Sequence, residues 1–225
     1  MEKEACILKK EIKICLPAYK MLYSAAFVVI LSLIRGISRV SDIGLAMEPP
    51  IGLLAIVFCA DTYWIEIQSK RAEVFKLYHL KKQTSVLLKR LAVQMVYLEI
   101  ISIVGYGLFF WQKPRPEMEG TALLPDFVCF LPAAAVTIIF WGTLSMTFCN
   151  LFRNIWIGIG SSLFLWVTLN SQAGDRVLGK YNIFSYTFRN VDYPNDFSWM
   201  WGKIISILLA LVLAALIPFV LKKRG

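Results

Sequence analysis

Long apolar segments, separated by shorter charged ones, dominate the pattern of hydrophobic and polar positions along this chain. Each segment is long enough, or nearly so, to cross about 30 Å of hydrocarbon as an α-helix, an element that satisfies its own backbone hydrogen bonds there. We therefore predict an all-α integral membrane protein with a single transmembrane domain, residues 1–225. The six predicted transmembrane helices are residues 17–33, 50–67, 91–111, 127–149, 155–169 and 201–221.

A short amphipathic segment precedes the first apolar stretch. In residues 1–16, Ala5, Leu8, Ile12 and Cys15 fall on one helical face, and three lysines fall on another. This pattern predicts an interfacial helix that lies along the membrane surface. A cleaved signal peptide is the alternative, but the interspersed glutamates break the cationic leader and no small-residue cleavage site follows. We therefore expect the segment to remain in the mature protein.

Composition supports the membrane interpretation. Hydrophobic residues make up 58% of the 225 residues and charged residues only 17%, whereas soluble domains contain about 45 to 50% and about 25%. Six spans of about 20 residues each use nearly all of the apolar residues. No room is left for a separate soluble catalytic domain.

Basic residues are distributed unequally between alternate loops. With the N-terminus inside, the inner segments hold 16 of the 24 lysines and arginines, and the outer segments hold eight basic residues matched by eight acidic ones. The whole net charge of +9 therefore lies on one side. Because cytoplasmic loops carry the excess of lysine and arginine, we expect both termini in the cytoplasm, in a multi-pass protein of the plasma membrane, in a bacterium.

The inner loop between the second and third spans carries an amphipathic pattern. Residues 67–82 place apolar side chains at helical spacing beside several basic ones. One interpretation is a basic surface helix that sets topology and binds anionic lipid headgroups. The other is a docking helix whose apolar residues enter a groove on a cytoplasmic partner. The candidate docking residues are Glu66, Lys70, Arg71, Glu73, Val74, Lys76, Leu77, Tyr78 and Lys81.

The order of these parts resembles the ABC type-2 permease family, the membrane subunits of ATP-binding-cassette exporters. The matching features are the interfacial helix, the six spans and the charged loop with Glu66, Ser69, Lys70, Glu73, the run HLKK at 79–82, and Lys89. The resemblance implies that residues 67–82 are a coupling helix against a separate ATPase. It also implies an extracellular re-entrant hairpin before the last span.

The chain lacks the sequence motifs of an ATPase and of the enzyme classes that act within membranes. No G-x-x-x-x-G-K-[ST] motif occurs, and the glycines at 158 and 160 lie in an apolar span with no preceding strand. The single histidine, His79, cannot supply a metal cluster or a Ser-His pair. We therefore predict a transport subunit that is not an enzyme and has no cofactor of its own. A partner chain would bind ATP and Mg²⁺.

The outer segment at 170–200 is rich in aromatic residues, which predicts an extracellular lid or re-entrant element. A simple interfacial cap is the alternative. The candidate lid residues are Tyr181, Phe184, Tyr186 and Phe188.

Glu99 lies about 12 Å into the third span, at 1.5 Å per residue. Such a carboxyl is costly and marks a transport pathway or a buried hydrogen-bonded pair. Its neighbour Gln94 is a further pathway candidate. The structural alternative is a protonated Glu99 bonded to the hydroxyl of Thr137, Thr143 or Ser145.

Asp61, nearer the inner interface, is expected to pair with the basic loop. Small residues spaced four apart predict close helix packing at Gly158 and Ser162 and at Ala210 and Ala214.

The leading hypothesis is the permease subunit of an exporter that moves an amphipathic substrate, such as a drug, a peptide antibiotic or a lipid, outward. It would form a homodimer, or a dimer with a related permease, in the lipid bilayer, and bind two copies of the ATPase, with no nucleic acid partner. One alternative is a membrane component of an energy-coupling uptake system. Another is a small membrane enzyme or a scaffold without transport.

Overall fold

A computed structural model describes residues 11–37, 39–65, 75, 77–112, 123–189 and 197–224. Its described part is all-helical. Residues 11–15 form the end of a helical segment, and seven α-helices follow within the described ranges. They are α1 (Ala18–Ile34), α2 (Asp42–Cys59), α3 (Leu80–Trp111), α4 (Leu123–Leu151), α5 (Ile155–Leu169), α6 (Gln172–Leu178) and α7 (Met200–Arg224).

Four of these helices are long and apolar enough to cross a membrane, namely α2, α3, α4 from Asp126 onward, and α7 up to Lys222. The apolar helices α1 and α5 are shorter, with 17 and 15 residues. Many apolar side chains of α1, α5 and α7 point outward and are exposed. An apolar surface of this extent suits lipid rather than water. The predicted all-α architecture is therefore confirmed, and the four long apolar helices indicate a membrane protein, while the six spans stay a prediction.

The second predicted span is displaced from the observed helix. We predicted 50–67, beginning at a proline, but α2 occupies Asp42–Cys59 and contains both Pro49 and Pro50 in its interior. Prolines in a helix remove backbone donors, so the two carbonyls that they leave open need other partners. Side chains from α5 and from the residue after α1 supply hydrogen bonds to this stretch, as the next subsection describes.

The third helix also begins earlier than predicted. α3 starts at Leu80 rather than at residue 91, because its first turns carry charged residues that extend beyond the apolar stretch. Within the predicted coupling helix, 67–82, residues 77–79 form a turn and residues 80–82 already belong to α3. Residues 66–74 and 76 lie outside the described part.

The second helix is the centre of the bundle. Of its residues, 72% are buried, and it packs against α3, α4 and α5, while α4 packs against α5 and α7, and α1 packs against α3. The core holds large apolar side chains from each of these layers, including Met47, Ile51, Phe58, Leu87, Phe130, Trp141 and Phe184. Glu48, in the first half of α2, is therefore deep inside the molecule.

Candidate functional site

A buried ion pair joins the first half of α2 to the start of α7. Glu48 is fully buried and Lys203 is 5% exposed, and the Lys203 ammonium donates a hydrogen bond to Glu48 Oε1. Removing two charges from water is expensive unless they are paired and hydrogen-bonded. The remaining partners of both groups therefore decide whether this site is tolerated.

The surrounding hydroxyls and a carbonyl complete the site. Lys203 Nζ also donates to Thr137 Oγ1 and to the carbonyl oxygen of Ile183, each at 2.8 Å. Glu48 Oε1 lies 2.8 Å from the Thr137 hydroxyl, and Glu48 Oε2 accepts from Thr187 Oγ1 at 2.7 Å. All three ammonium donors and both carboxylate oxygens thus have partners. We call these four side chains, Glu48, Thr137, Thr187 and Lys203, the Glu48 cluster.

The backbone of α2 is shaped around this cluster. Gly44 and Gly52 lie one turn before and one turn after Glu48, so all three share a face. A Cβ at Gly44 would lie 2.6 Å from the Tyr186 hydroxyl, and one at Gly52 would lie 2.9 Å from Trp141 Cδ1. The missing side chains let Tyr186 and Trp141 pack directly against the helix on either side of the carboxylate.

Side chains from other parts of the fold bond two backbone carbonyls of the double-proline stretch, one of which a proline leaves without its usual donor. Pro50 has no N–H to give to the carbonyl of Ala46, four residues earlier. Arg35 Nη1 donates to this oxygen at 2.9 Å. Trp166 Nε1 of α5 donates to the carbonyl of Pro49 at 3.0 Å. These two bonds hold the double-proline stretch inside a continuous helix.

The 179–189 segment reaches deep into the bundle to meet the cluster. Thr137 lies 14 residues from each end of α4, or about 21 Å at 1.5 Å per residue. Ile183 and Thr187 are each linked to Thr137 through one intermediate group, Ile183 through the Lys203 ammonium and Thr187 through the Glu48 carboxylate. Phe184, with no exposed surface, stacks on Trp141, which is one turn farther along α4, at a centroid distance of 5.6 Å.

Buried polar groups hold the 179–189 segment in this position. The Asn182 side chain donates to the carbonyl of Leu169 at the end of α5, at 2.9 Å, and accepts from the backbone N–H of Phe184. Ser185 Oγ donates to the carbonyl of Trp199, just before α7, at 2.7 Å. Arg189 pairs with Asp126 near the start of α4, at 3.3 Å. The segment is thus bonded to α4, α5 and the approach to α7.

A second set of polar contacts lies at the opposite end of the bundle, which we call the basic end, formed by Lys20, Asp61, Arg90, Lys81 and Lys82. Lys20 is 1% exposed, pairs with Asp61 and donates to the carbonyl of Phe58 at 2.9 Å. We expected Asp61 to pair with the basic loop, but α1 supplies its described partner.

Other polar contacts at the basic end involve α3 and the helical segment at 11–15. Arg90 Nε donates to Glu11 Oε2 at 2.6 Å, which ties that segment to α3. Burial raises the pKa of the neighbouring Cys15 thiol to about 12, so this thiol is neutral at physiological pH.

The two predicted pathway residues are not brought together. The Gln94 carbonyl oxygen accepts from Thr62 Oγ1 at 2.7 Å, and both residues are fully buried. Glu99 is half-buried, and its Oε2 atom has no hydrogen-bond partner within the described part of the chain. Ser145, one of the hydroxyls expected to bind Glu99, instead donates to the carbonyl of Ile56. The structure therefore places the main polar site at Glu48 rather than at Glu99.

The predicted lid and packing residues occupy different environments. Phe184 and Tyr186 are buried in the bundle, Phe188 is partly buried, and Tyr181 is 48% exposed. Gly158 lies against the backbone of Cys149 on α4, where a Cβ would come within 2.5 Å of the Cys149 Cα. Ser162 is fully buried, Ala210 is 4% exposed, and Ala214 packs against the edge of the core.

The described part of the predicted docking segment is strongly exposed. Leu77 is 85% exposed and Tyr78 is 43% exposed, and Lys81 is also exposed. Phe75 is buried instead, and its ring lies 5.9 Å from that of Tyr63 and 6.4 Å from that of Tyr78. The other candidates lie outside the described residues, namely Glu66, Lys70, Arg71, Glu73, Val74 and Lys76.

Sequence reasoning missed the Glu48 cluster. The predicted second span began at Pro50, which left Glu48 in an outer loop, and Lys203 was counted among the outer charges. A usable signal was present, because the apolar stretches around 42–59 and 201–221 each carry one deep charge, and these charges are opposite in sign. Opposite charges within apolar helices pair with one another.

Comparison of the chain with models of protein families, with curated proteins and with solved structures finds no match.

Proposed function

We propose that this protein is the membrane-spanning permease subunit of an ATP-binding-cassette exporter. It would move an amphipathic substrate outward, driven by ATP hydrolysis in a separate cytoplasmic subunit. The observation that carries the proposal is the exposed apolar surface at the basic end, where Leu77 is 85% exposed beside Tyr78 and two lysines. Exposed apolar side chains interleaved with charges suit docking into a groove, in which the apolar residues anchor the contact and the charges set its register.

The aromatic contacts of this surface suit the transmission of motion. Phe75 is buried between Tyr63, which follows α2, and Tyr78, which precedes α3. A partner that moves Leu77 and Tyr78 would therefore act on the ends of two helices at once. One of these helices, α2, carries Glu48.

The order of elements supports the same proposal. The helical segment at 11–15 is bonded to α3 through Glu11 and Arg90, as expected for an interfacial helix. The four long helices together with α1 and α5 would make six crossings, the two shorter ones being helped by local thinning of the bilayer. The 179–189 segment would be the re-entrant hairpin, an interpretation supported by the stacking of Phe184 on Trp141 of α4 and by the hydrogen bond from Thr187 to Glu48 of α2.

The energy source would lie in a partner. The sequence has no nucleotide-binding motif, and no group of three or more metal-binding side chains occurs among the residues that the structure describes. Two ATPase subunits would bind ATP and Mg²⁺ below a dimer of this chain, or of this chain with a related permease. In this arrangement both termini and the basic end face the cytoplasm of the cell.

The proposal is tested by the association of the full-length protein with an ATPase subunit. The protein is purified from its native membrane, a co-purifying ATP-binding-cassette ATPase is identified, and ATP hydrolysis by the reconstituted pair is measured. We expect Leu77→Asp to abolish association and the stimulation of ATPase activity, because a buried carboxylate at a docking contact is costly.

A matched control is available at the other end of the molecule. Val177 on α6 is 83% exposed, so Val177→Asp places the same charge at an equally exposed site. This variant should retain the ATPase. Equal retention of the ATPase by both variants would contradict docking through Leu77, and the lack of any ATPase partner would contradict the permease proposal.

A further inference from the structure

The Lys203 ammonium occupies a complete binding site for a primary amine. A protonated amine has three N–H donors, and here they meet Glu48 Oε1, Thr137 Oγ1 and the carbonyl of Ile183. The Thr137 hydroxyl can donate its own hydrogen bond to Glu48 Oε1 or to the carbonyl of Ala133, at 2.8 and 2.9 Å. The geometry is therefore selective for a cation that donates hydrogen bonds.

The partners of the ion pair come from two different parts of the fold. Glu48 and Thr137 belong to α2 and α4, which pack against each other through the centre of the bundle. Lys203 belongs to the first turn of α7, which packs against α4 and which the 179–189 segment covers closely. A Cβ at Gly202 would lie 2.0 Å from the carbonyl oxygen of Asn182. If α7 and the 179–189 segment move away from α2 and α4, Lys203 leaves with them.

After such a movement, Glu48 and Thr137 would form a site that accepts hydrogen bonds. Once Lys203 and the 179–189 segment with Thr187 are withdrawn, the Glu48 carboxylate keeps the Thr137 hydroxyl as its partner. A buried charged carboxylate requires another cation. The adjacent Trp141 is fully buried, and its Nε1 has no hydrogen-bond partner among the described residues. Its ring offers an aromatic surface, and its N–H could bind an acceptor of the same ligand.

We propose that Glu48 and Thr137 bind the primary ammonium group of a cationic amphipathic substrate, and that Lys203 occupies this site in the conformation described. The inference rests on the proposed permease function and names the class of substrate. An anionic substrate would instead have to bind Lys203. After separation Lys203 would keep the Ile183 carbonyl and Glu48 would keep the Thr137 hydroxyl. The Glu48 side has in addition the ring of Trp141, an aromatic face that favours a cation.

Chemical rescue tests the site on the purified full-length protein in detergent. Lys203→Ala removes the cation and leaves a space that n-propylammonium matches, since it reproduces the missing three carbons and the amine. We expect the thermal unfolding midpoint of this variant to fall below that of the wild type, and n-propylammonium to restore it in a saturable manner. Tetramethylammonium, propionate and sodium chloride at equal ionic strength should not restore it.

The double variant Glu48→Gln/Lys203→Ala is the matched control, because it has the same space without the carboxylate. It should not respond to n-propylammonium. The proposal is overturned if Lys203→Ala is unresponsive, if tetramethylammonium restores it equally, or if the double variant responds as strongly as the single one.

Wild-type protein provides the decisive measurement if Lys203→Ala does not fold. A primary amine that competes for Glu48 releases Lys203, so n-propylammonium should accelerate amide hydrogen exchange in 179–189 severalfold relative to sodium chloride at the same ionic strength. Unchanged exchange would overturn the proposal. Neither experiment involves an ATPase or transport, so their failure leaves the permease proposal to its own test of partner association.

Discussion

Single polar side chains decide how this apolar bundle holds its proline-containing helix. Arg35 is the clearest case, because its guanidinium reaches Ala46, whose carbonyl is deprived of its usual donor by Pro50. Ala46 is only 4% exposed. The hydrogen bond therefore compensates a buried acceptor rather than adding a contact at the surface.

We expect Arg35→Ala to lower the free energy of unfolding by about 1 to 3 kcal/mol, the usual cost of an unsatisfied buried group. Pro50→Ala restores a backbone N–H four residues after Ala46, so it should recover much of this loss in the Arg35→Ala background. Unfolding by denaturant in mixed micelles measures all four states of the cycle. Strictly additive effects would show that Arg35 does not act through the Ala46 carbonyl.

The close approach of two helices depends on the positions of their glycines. Two glycines of α5 lie two residues apart and face different surroundings. A Cβ at Gly158 would come within 2.5 Å of the Cys149 backbone on α4, whereas a Cβ at Gly160 would meet nothing within 4 Å. Close packing of α4 and α5 therefore requires glycine at 158 only.

Gly158→Ala should destabilise the protein by about 1 to 3 kcal/mol or more, because two backbones would have to separate. Gly160→Ala should be neutral or slightly stabilising, since alanine is the better helix former. Thermal unfolding of the two variants in the same detergent distinguishes them. Similar midpoints for both would mean that α4 and α5 are not in backbone contact.

At the scale of the whole molecule, the charged residues distinguish the two ends of the helix bundle. The basic end carries exposed lysines beside the polar contacts of α1, α2 and α3, while the other end carries α6 and Lys180. In the proposed topology the basic end faces the cytoplasm, since lysine and arginine collect on the cytoplasmic face. Lys180 and Lys222 are both exposed and lie on opposite sides of the proposed topology.

In a background in which Cys6 and Cys129 are replaced by serine, we expect Lys180→Cys to react with a membrane-impermeant maleimide on intact cells. Lys222→Cys should react only after the membrane is permeabilised. Equal labelling of intact cells would place the C-terminal end of α7 outside and would contradict the proposed cytoplasmic docking surface.

The sequence by itself determined the class of the protein, because long apolar segments with few charges leave a helix bundle in a membrane as the stable solution. It also located α5 to the residue and α1, α4 and α7 to within a few positions. The predicted helix boundaries were wrong where a residue's hydrogen-bond partner is distant in sequence. Pro50 looked like a helix start, but it lies inside α2, where Arg35, brought close in space, bonds the Ala46 carbonyl that Pro50 leaves without a donor.

The tertiary structure alone decided the candidate site. Glu48 and Lys203 are 155 residues apart, and no periodicity in either segment says which buried charge meets which. The two residues meet because α7 and the 179–189 segment pack against α2 and α4. That packing is determined jointly by apolar contacts, by the lengths of the helices and by the connections between them. Sequence limits how many charges the bundle can contain, and three-dimensional packing determines which of them neutralise one another.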